Sequence, residues 1–184
     1  MLKLAFIVFA FCTIGAMAQP DSSRVQRIGM SYFSEGGLYP GFTFNYEKKL
    51  LANNRFQLLL ASKAGAYFHY QNHTGIFAMV QSGQRFRVYN HFYFEHFLGV
   101  GYLVSFLNGG DAFFVNAAGQ VQKANRTGNS HFMPSVSGGF SYDHRGKQSF
   151  IIFARPMLFW QIPFNNTSLV QYAFEVGTLF KLRK

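Results

Sequence analysis

The chain has 184 residues, with 17 Lys and Arg against 7 Asp and Glu, a single cysteine and 24 phenylalanines. Charged residues make up only 13%, where a water-soluble domain carries about 25%, so this is not the surface of an ordinary soluble protein. One cysteine excludes an intramolecular disulfide, and the length suits a single domain.

Residues 1–18 read as a secretory signal peptide. Lys3 supplies the positive start, the stretch from Leu4 to Ile14 the apolar core, and Ala16-Met17-Ala18 a small-x-small cleavage site before Gln19. A lipoprotein anchor on Cys12 is disfavoured because bulky Phe11 precedes it. Removal of this segment leaves residues 19–184 as one domain, with 16 Lys and Arg against 7 Asp and Glu. Beyond it the longest oily run is the 11 residues 97–107, too short to cross roughly 30 Å of hydrocarbon as a helix. A helical membrane protein is therefore excluded.

Turn signals divide the rest into eight alternating segments, 25–34, 41–48, 56–70, 76–89, 92–106, 132–143, 148–162 and 168–182. Even positions carry the oily side chains, as in Phe42, Phe44 and Tyr46, or Leu98, Val100 and Val104. Odd positions carry Arg27, Glu47, Lys63, Arg85, Arg87, Glu95, Arg155 and Glu175, and only Lys48, at a strand end, puts a charge on the oily side. A one-residue slip would turn Lys63 and Arg155 outward together, at about 2 to 4 kcal/mol each near a bilayer midplane, so the register is well specified.

A soluble lipocalin-like barrel shares this period, with its oily face inward. Two features favour the membrane version. The charge-bearing face is too sparsely charged to meet water, and it holds small residues (Gly65, Gly83, Gly99, Gly101, Gly139, Gly177) that fit a crowded interior. Aromatic residues also mark the strand ends, with Tyr46, Phe56, Phe86, Phe92, Tyr142 and Phe180 at one and Phe42, Tyr70, Phe106, Phe132, Trp160 and Tyr172 at the other.

The closing stretch, Glu175-Val-Gly177-Thr-Leu-Phe180-Lys-Leu182, resembles the polar-x-Gly-x-x-hydrophobic-x-hydrophobic signal by which outer-membrane barrels present their last strand to the insertion machinery. It departs from that signal in running on to Arg183 and Lys184 rather than ending on an aromatic residue. Taken whole, residues 19–184 resemble the small OmpA/OmpX-type proteins in pattern and length. The resemblance implies an all-β, eight-stranded, antiparallel up-and-down transmembrane barrel in a Gram-negative outer membrane, with both termini periplasmic.

That orientation makes the connections at 49–55, 89–91 and 144–147 periplasmic and those at 35–40, 71–75, 107–131 and 163–167 extracellular, so the longest loop faces outward. Twelve cations (Arg24, Arg27, Lys48, Lys49, Arg55, Arg85, Arg87, Arg145, Lys147, Lys181, Arg183, Lys184) then lie toward the periplasmic end against Asp21, Glu47, Glu95 and Asp143. Such a rim suits anionic lipid heads or an acidic periplasmic partner. Export rules out nucleic acid.

Inside the barrel, symmetry about Asn90 sets Arg85 against Glu95, and symmetry about Asn165 sets Arg155 against Glu175, predicting two ion pairs that plug the lumen. Pro156 donates no hydrogen bond, which predicts a bulge beside Arg155. The outer half of the lumen is predicted apolar, through Phe33, Tyr67, Phe77, Met79, Leu103, Met157 and Phe159.

For chemistry, His69, Ser105, Asp111 and His131 are the rim residues from which acyl transfer would draw a nucleophile, base and carboxylate, but no motif links them and the His-x-Ser pairing of the lipid A deacylase kind is absent. His69, His73 and His131 match no metal-ligand spacing, and the Asn-x-Thr triplets at 72, 125 and 165 are turn formers. No residue is therefore assigned as catalytic, cofactor-binding or metal-binding. The expected role is non-catalytic, in envelope integrity, surface display or assembly with envelope partners. A lipid A or phospholipid acyl-modifying enzyme and a narrow pore are the alternatives.

Overall fold

The computed structural model describes residues 25–70, 73–108, 113–115, 119–123, 128–144, 149–164 and 167–182. The predicted signal peptide and Asp111 lie outside them. Ten strands run in chain order: β1 (Gln26–Glu35), β2 (Tyr39–Ala52), β3 (Phe56–His69), β4 (His73–Tyr89), β5 (Phe92–Leu107), β6 (Phe113–Val115), β7 (Val121–Lys123), β8 (Gly128–His144), β9 (Phe150–Phe164) and β10 (Thr167–Lys181). Eight of them close into an antiparallel barrel in which each pairs with its sequence neighbours and β1 meets β10. The short β6–β7 ladder sits within the predicted long loop, where no alternation signalled it.

The register is the one the alternation demands. Of the odd-numbered charges, Arg27, Glu47, Lys63, Arg85, Glu95, Arg155 and Glu175 are buried and Arg87 is half-buried, while Met30, Phe44, Val80, Leu98, Val100 and Phe140 stand exposed on the outside. Such a coat of hydrocarbon side chains is matched to lipid. At one end the aromatic residues align across strands, with Phe56 opposite Phe86, Phe86 opposite Phe94 and Phe94 opposite Phe140. Phe56, tucked against Phe86 at 5.3 Å between centroids, is largely covered.

Several strands outrun their predicted limits. β4 starts at His73 because its ladder with β3 continues through Tyr67–Gly75, Phe68–Thr74 and His69–His73. Alternating hydropathy marks only the part of a strand that meets hydrocarbon, whereas the backbone ladder continues past it with polar side chains. β2 reaches Ala52 through a register shift between Lys49 and Leu51. The tight turn between β4 and β5 places Asn90 at φ 40°, a left-handed conformation that asparagine tolerates.

The bulge expected at Pro156 is absent. Pro156 stands opposite Phe174 in a stretch of the β9–β10 ladder that runs in one register from Leu169–Gln161 to Phe180–Phe150. On the other side, β8 pairs Ser137 with Met157 and then Phe140 with Ala154 in the same register, so rungs are missing at Gly138 and Gly139 without any insertion. A second gap falls beside Pro134, between Phe132–Ile162 and Ser135–Phe159. The proline deletes a donor, and a flanking glycine pair lets the strands come together without one.

One polar pair also breaks the oily exterior: Gln84 and His96 are cross-strand partners at even positions. Phe86 and Phe94 flank the His96 ring at 5.9 and 6.4 Å between centroids.

Glycines 138 and 139 provide a test of this close approach. A Cβ on Gly139 would lie 2.0 Å from the Ala154 carbonyl oxygen, whereas one on Gly138 meets only the Glu95 carbonyl at 3.6 Å. Gly139→Ala is expected to destabilise the barrel by about 1 to 3 kcal/mol through overpacking. Gly138→Ala is expected to be neutral or to stabilise by up to ~1 kcal/mol, because it restricts the unfolded chain. Urea titration of folding into lipid vesicles measures both.

Candidate functional site

Each of the eight barrel strands sends one buried side chain of formal charge into the middle or lower part of the lumen: Arg27, Glu47, Lys63, Arg85, Glu95, Asp143, Arg155 and Glu175 in chain order. Four are cations and four are carboxylates, so this layer is formally neutral. Glu95 is the hub. It accepts from Arg85 Nε at 2.7 Å, from Arg155 Nε at 2.5 Å and from Ser141 Oγ at 3.1 Å. The Arg85 guanidinium turns its other two nitrogens to Glu47, Nη1 to Oε1 at 3.0 Å and Nη2 to Oε2 at 2.8 Å, a two-pronged geometry that lysine cannot supply. Arg27 bridges Glu47 and Asp143 at 3.6 and 3.8 Å. Arg155 lies over the faces of Phe153 and Phe97, 3.9 and 4.5 Å from their centroids, a contact that suits a planar cation taken out of water.

Glu175 belongs to a second cluster. Lys63 pairs with it, and Ser31 and Thr43 donate to its Oε1 at 2.6 and 2.9 Å. Asn45 Nδ2 in turn donates to Ser31 Oγ at 2.7 Å.

An apolar layer covers one side of this plug. Phe33, Tyr67, Phe77, Met79, Leu103, Met133, Met157, Phe159 and Ala173 form one buried cluster, and all seven residues predicted for that half of the lumen belong to it. Tyr67 lies so flat over Gly75 that a Cβ there would be 2.3 Å from its ring.

Above that layer, at the end away from the termini, the barrel widens into a vestibule of about 810 Å³. It gathers three of the residues singled out by sequence for acyl transfer, His69, Ser105 and His131, together with His73. His131 is held firmly: its Nδ1 is 2.6 Å from the carbonyl oxygen of Pro163, which can only accept, so Nε2 is free to accept from Ser105 Oγ at 3.2 Å. His73 Nε2 is 3.1 Å from the Tyr67 hydroxyl. His69 stacks on Tyr39, with centroids 3.4 Å apart, and points Nδ1 at Glu35 Oε2 from 3.7 Å. Among the described residues no three His, Cys, Asp or Glu side chains converge as a metal site.

No protein-family model matches the chain, and no curated protein matches it. Solved structures do. Neisserial surface protein A aligns at TM-score 0.52 and 10% identity over 87% of this chain and 96% of its own. Ail, the attachment invasion locus protein of Yersinia pestis, in complex with the heparin analogue sucrose octasulfate, aligns at 0.50 and 13% identity over 87% of this chain and all of its own. The fold is that of the small eight-stranded outer-membrane barrels.

In this outer-membrane barrel fold the Arg85–Glu95 pair forms as its register predicts. The Arg155–Glu175 pairing requires correction. The two residues do face each other across β9 and β10, but Arg155 donates to Glu95 and Lys63 takes Glu175. Sequence symmetry about a turn sees only adjacent strands, whereas long side chains in a narrow lumen reach across it. Arg27 and Arg85, counted with the basic rim from sequence, are interior members of the plug. Lys48, Lys49, Arg55, Arg87 and Lys181 remain toward that end, and the other rim cations named above lie outside the described residues. Glu35, Tyr39 and Gln161, which line the vestibule, were not singled out. The odd numbers of Glu35 and Gln161 were the available signal, since an inward polar residue near the outer strand ends faces the mouth.

The pairing is open to a mutant cycle. Removing one partner of a buried ion pair costs about 3 to 5 kcal/mol, whereas removing both is far milder. Glu175→Leu alone is expected to fall in that range, and Lys63→Met combined with Glu175→Leu is expected to recover most of the loss. Arg155→Leu combined with Glu175→Leu is expected to be worse than Glu175→Leu alone, because it strips Glu95 of a partner. Folding titrations of the three variants against the unchanged protein distinguish this network from an Arg155–Glu175 pair.

Proposed function

We propose that the chain is a non-catalytic outer-membrane protein: a closed, non-conducting barrel seated with its termini and short turns in the periplasm, presenting its vestibule and residues 107–131 at the cell surface. Its work on this reading is envelope integrity, display or assembly with other envelope proteins. The observation that carries it is the sealed lumen, in which Arg85 and Glu95 are both 0% exposed and an apolar layer backs the ion pairs. Outer-membrane lipids are its surroundings, the Glu175–Leu182 stretch its signal to the insertion machinery, and the cations Lys48, Lys49, Arg55, Arg87 and Lys181 a collar for anionic lipid heads or an acidic periplasmic partner.

Planar-bilayer recording tests the closure. The purified barrel is expected to give no stepwise conductance, while discrete openings of the wild-type protein would favour the narrow pore instead.

A second reading has a specific observation behind it. Ser105 Oγ, His131 Nε2 and the Pro163 carbonyl stand in the order nucleophile, base and orienting acceptor, which an enzyme acting on acyl esters would use. Ser105 Oγ also lies 3.4 Å from the Asn129 carbonyl oxygen, so its proton has a structural use as well. On the non-catalytic reading a fluorophosphonate probe leaves the folded protein unlabelled. Labelling at Ser105 that vanishes in His131→Ala would transfer the preference to the enzyme.

A further inference from the structure

We propose that the outer wall of the barrel seats one phospholipid, its acyl chain lying in a trough across β8 and β9 and its ester group at His96. The trough has a volume of about 520 Å³ and is lined by Val136, Gly138, Pro156, Leu158 and Phe174 besides His96. Its floor is made by the two residues with least side chain to offer. Gly138 has none, and among the described residues a Cβ built there meets only the Glu95 carbonyl oxygen, at 3.6 Å. Pro156 carries a ring tied back to its own backbone. Val136 and Leu158, cross-strand partners one pleat away on the same outward face, form a bank, and Phe174 opposite Pro156 closes the far end.

Length and depth point to a lipid of one leaflet. From His96 on β5, which pairs with Gly138, to Phe174 on β10 the trough crosses three strand-to-strand steps, about 14 Å at the usual spacing. One leaflet supplies about half of the roughly 30 Å hydrocarbon core, so the trough matches the run of a single acyl chain. Its His96 end stands one pleat inward of the aligned Phe86, Phe94 and Phe140. Such aromatic lines mark the head-group level, and the layer just inside them is where lipid ester carbonyls lie.

The chemistry at that end fits an ester. A polar side chain on a wall that meets hydrocarbon is costly and calls for a partner. His96 faces Gln84 across the ladder. Gln84 is covered, at 5% exposed, whereas His96 lines the trough. Between them the amide and a neutral imidazole carry three N–H donors, and an ester carbonyl, which only accepts, is the group a diacyl lipid offers them. A bare alkyl chain fills the trough but meets nothing polar at His96.

That the lipid is a phospholipid of the periplasmic leaflet rests on the orientation proposed above; the trough itself does not. Native mass spectrometry of the folded barrel released from detergent micelles, titrated with a diacyl phosphatidylethanolamine and with its dialkyl ether analogue, is the direct test. One diacyl lipid per barrel is expected to be retained, and the ether analogue, which has no carbonyl, is expected to be held at least threefold more weakly. Gly138→Leu fills the trough and is expected to weaken retention tenfold or more, while His96→Leu is expected to erase the preference for the ester. Ala64→Leu, in a separate outward groove, is expected to change neither. Heat-modifiable gel mobility confirms folding, and Gly138→Val replaces Gly138→Leu if the latter does not fold. The proposal falls if no lipid is retained, if the unchanged protein holds ester and ether lipids alike, or if Gly138→Leu retains lipid as before. A barrel dimer that Gly138→Leu breaks, with no lipid bound, would assign the trough to a second copy and overturn the proposal as well. Orientation is read separately, from labelling of Leu38→Cys by an impermeant maleimide on whole cells in a chain whose Cys12 is changed to Ser. Ester-selective retention without labelling on cells would overturn the orientation and the leaflet, and leave the trough and its His96 end standing.

Discussion

Charge neutrality inside a lumen filled by side chains is the constraint on which the barrel depends. Four cations and four carboxylates, one from each wall strand, meet in the lumen, and none of them has a tolerable alternative. Turned outward, each meets hydrocarbon; left inside without its counter-ion, each is a buried unpaired charge. Register, strand number and closure are thereby tied together. The Glu95 carboxylate of β5 needs Arg85 from β4 and Arg155 from β9, and Glu175 of β10 needs Lys63 from β3. Contacts spanning the lumen in this way are satisfied only when the cylinder is complete. An open sheet of the same strands offers the ladder hydrogen bonds but not the ionic ones.

Most of the fold was legible because the exterior imposes a period of two with little room for exceptions. The oily side of each barrel strand, the inward facing of the charges and the apolar half of the lumen all follow from odd and even numbering. What escaped falls into two physical classes. One is structure beyond the hydrocarbon band: the outer ends of β4 and β8 and the small β6–β7 ladder pair through their backbones, which carry no hydropathy signal. The other is anything that depends on distance across the lumen. Arg155 and Glu175 are neighbours by count, yet a guanidinium on a three-carbon stem chooses among carboxylates on three sides. Glu35, Gln161 and His69 meet only because the barrel curves them onto one mouth, and no spacing in the chain encodes that curvature.

The vestibule and the plug divide the interior into regions with different tasks. Below, four cations and four carboxylates face one another across the lumen. Above, polar groups are presented to a space that the chain itself does not fill. The apolar layer around Phe33, Phe77 and Phe159 separates the two. A barrel of this width thus combines a charged, packed middle with an open mouth.

The gaps beside Pro134 and Pro156 bear on how evenly the wall is held. Around most of the circumference adjacent strands are laced by regular rungs, but the β8–β9 seam skips rungs in two stretches, each next to a proline that cannot donate. A closed sheet has no edge to fray from, so any sideways parting must start within the wall. This barrel carries its own line of least resistance, set by two imino acids on facing strands.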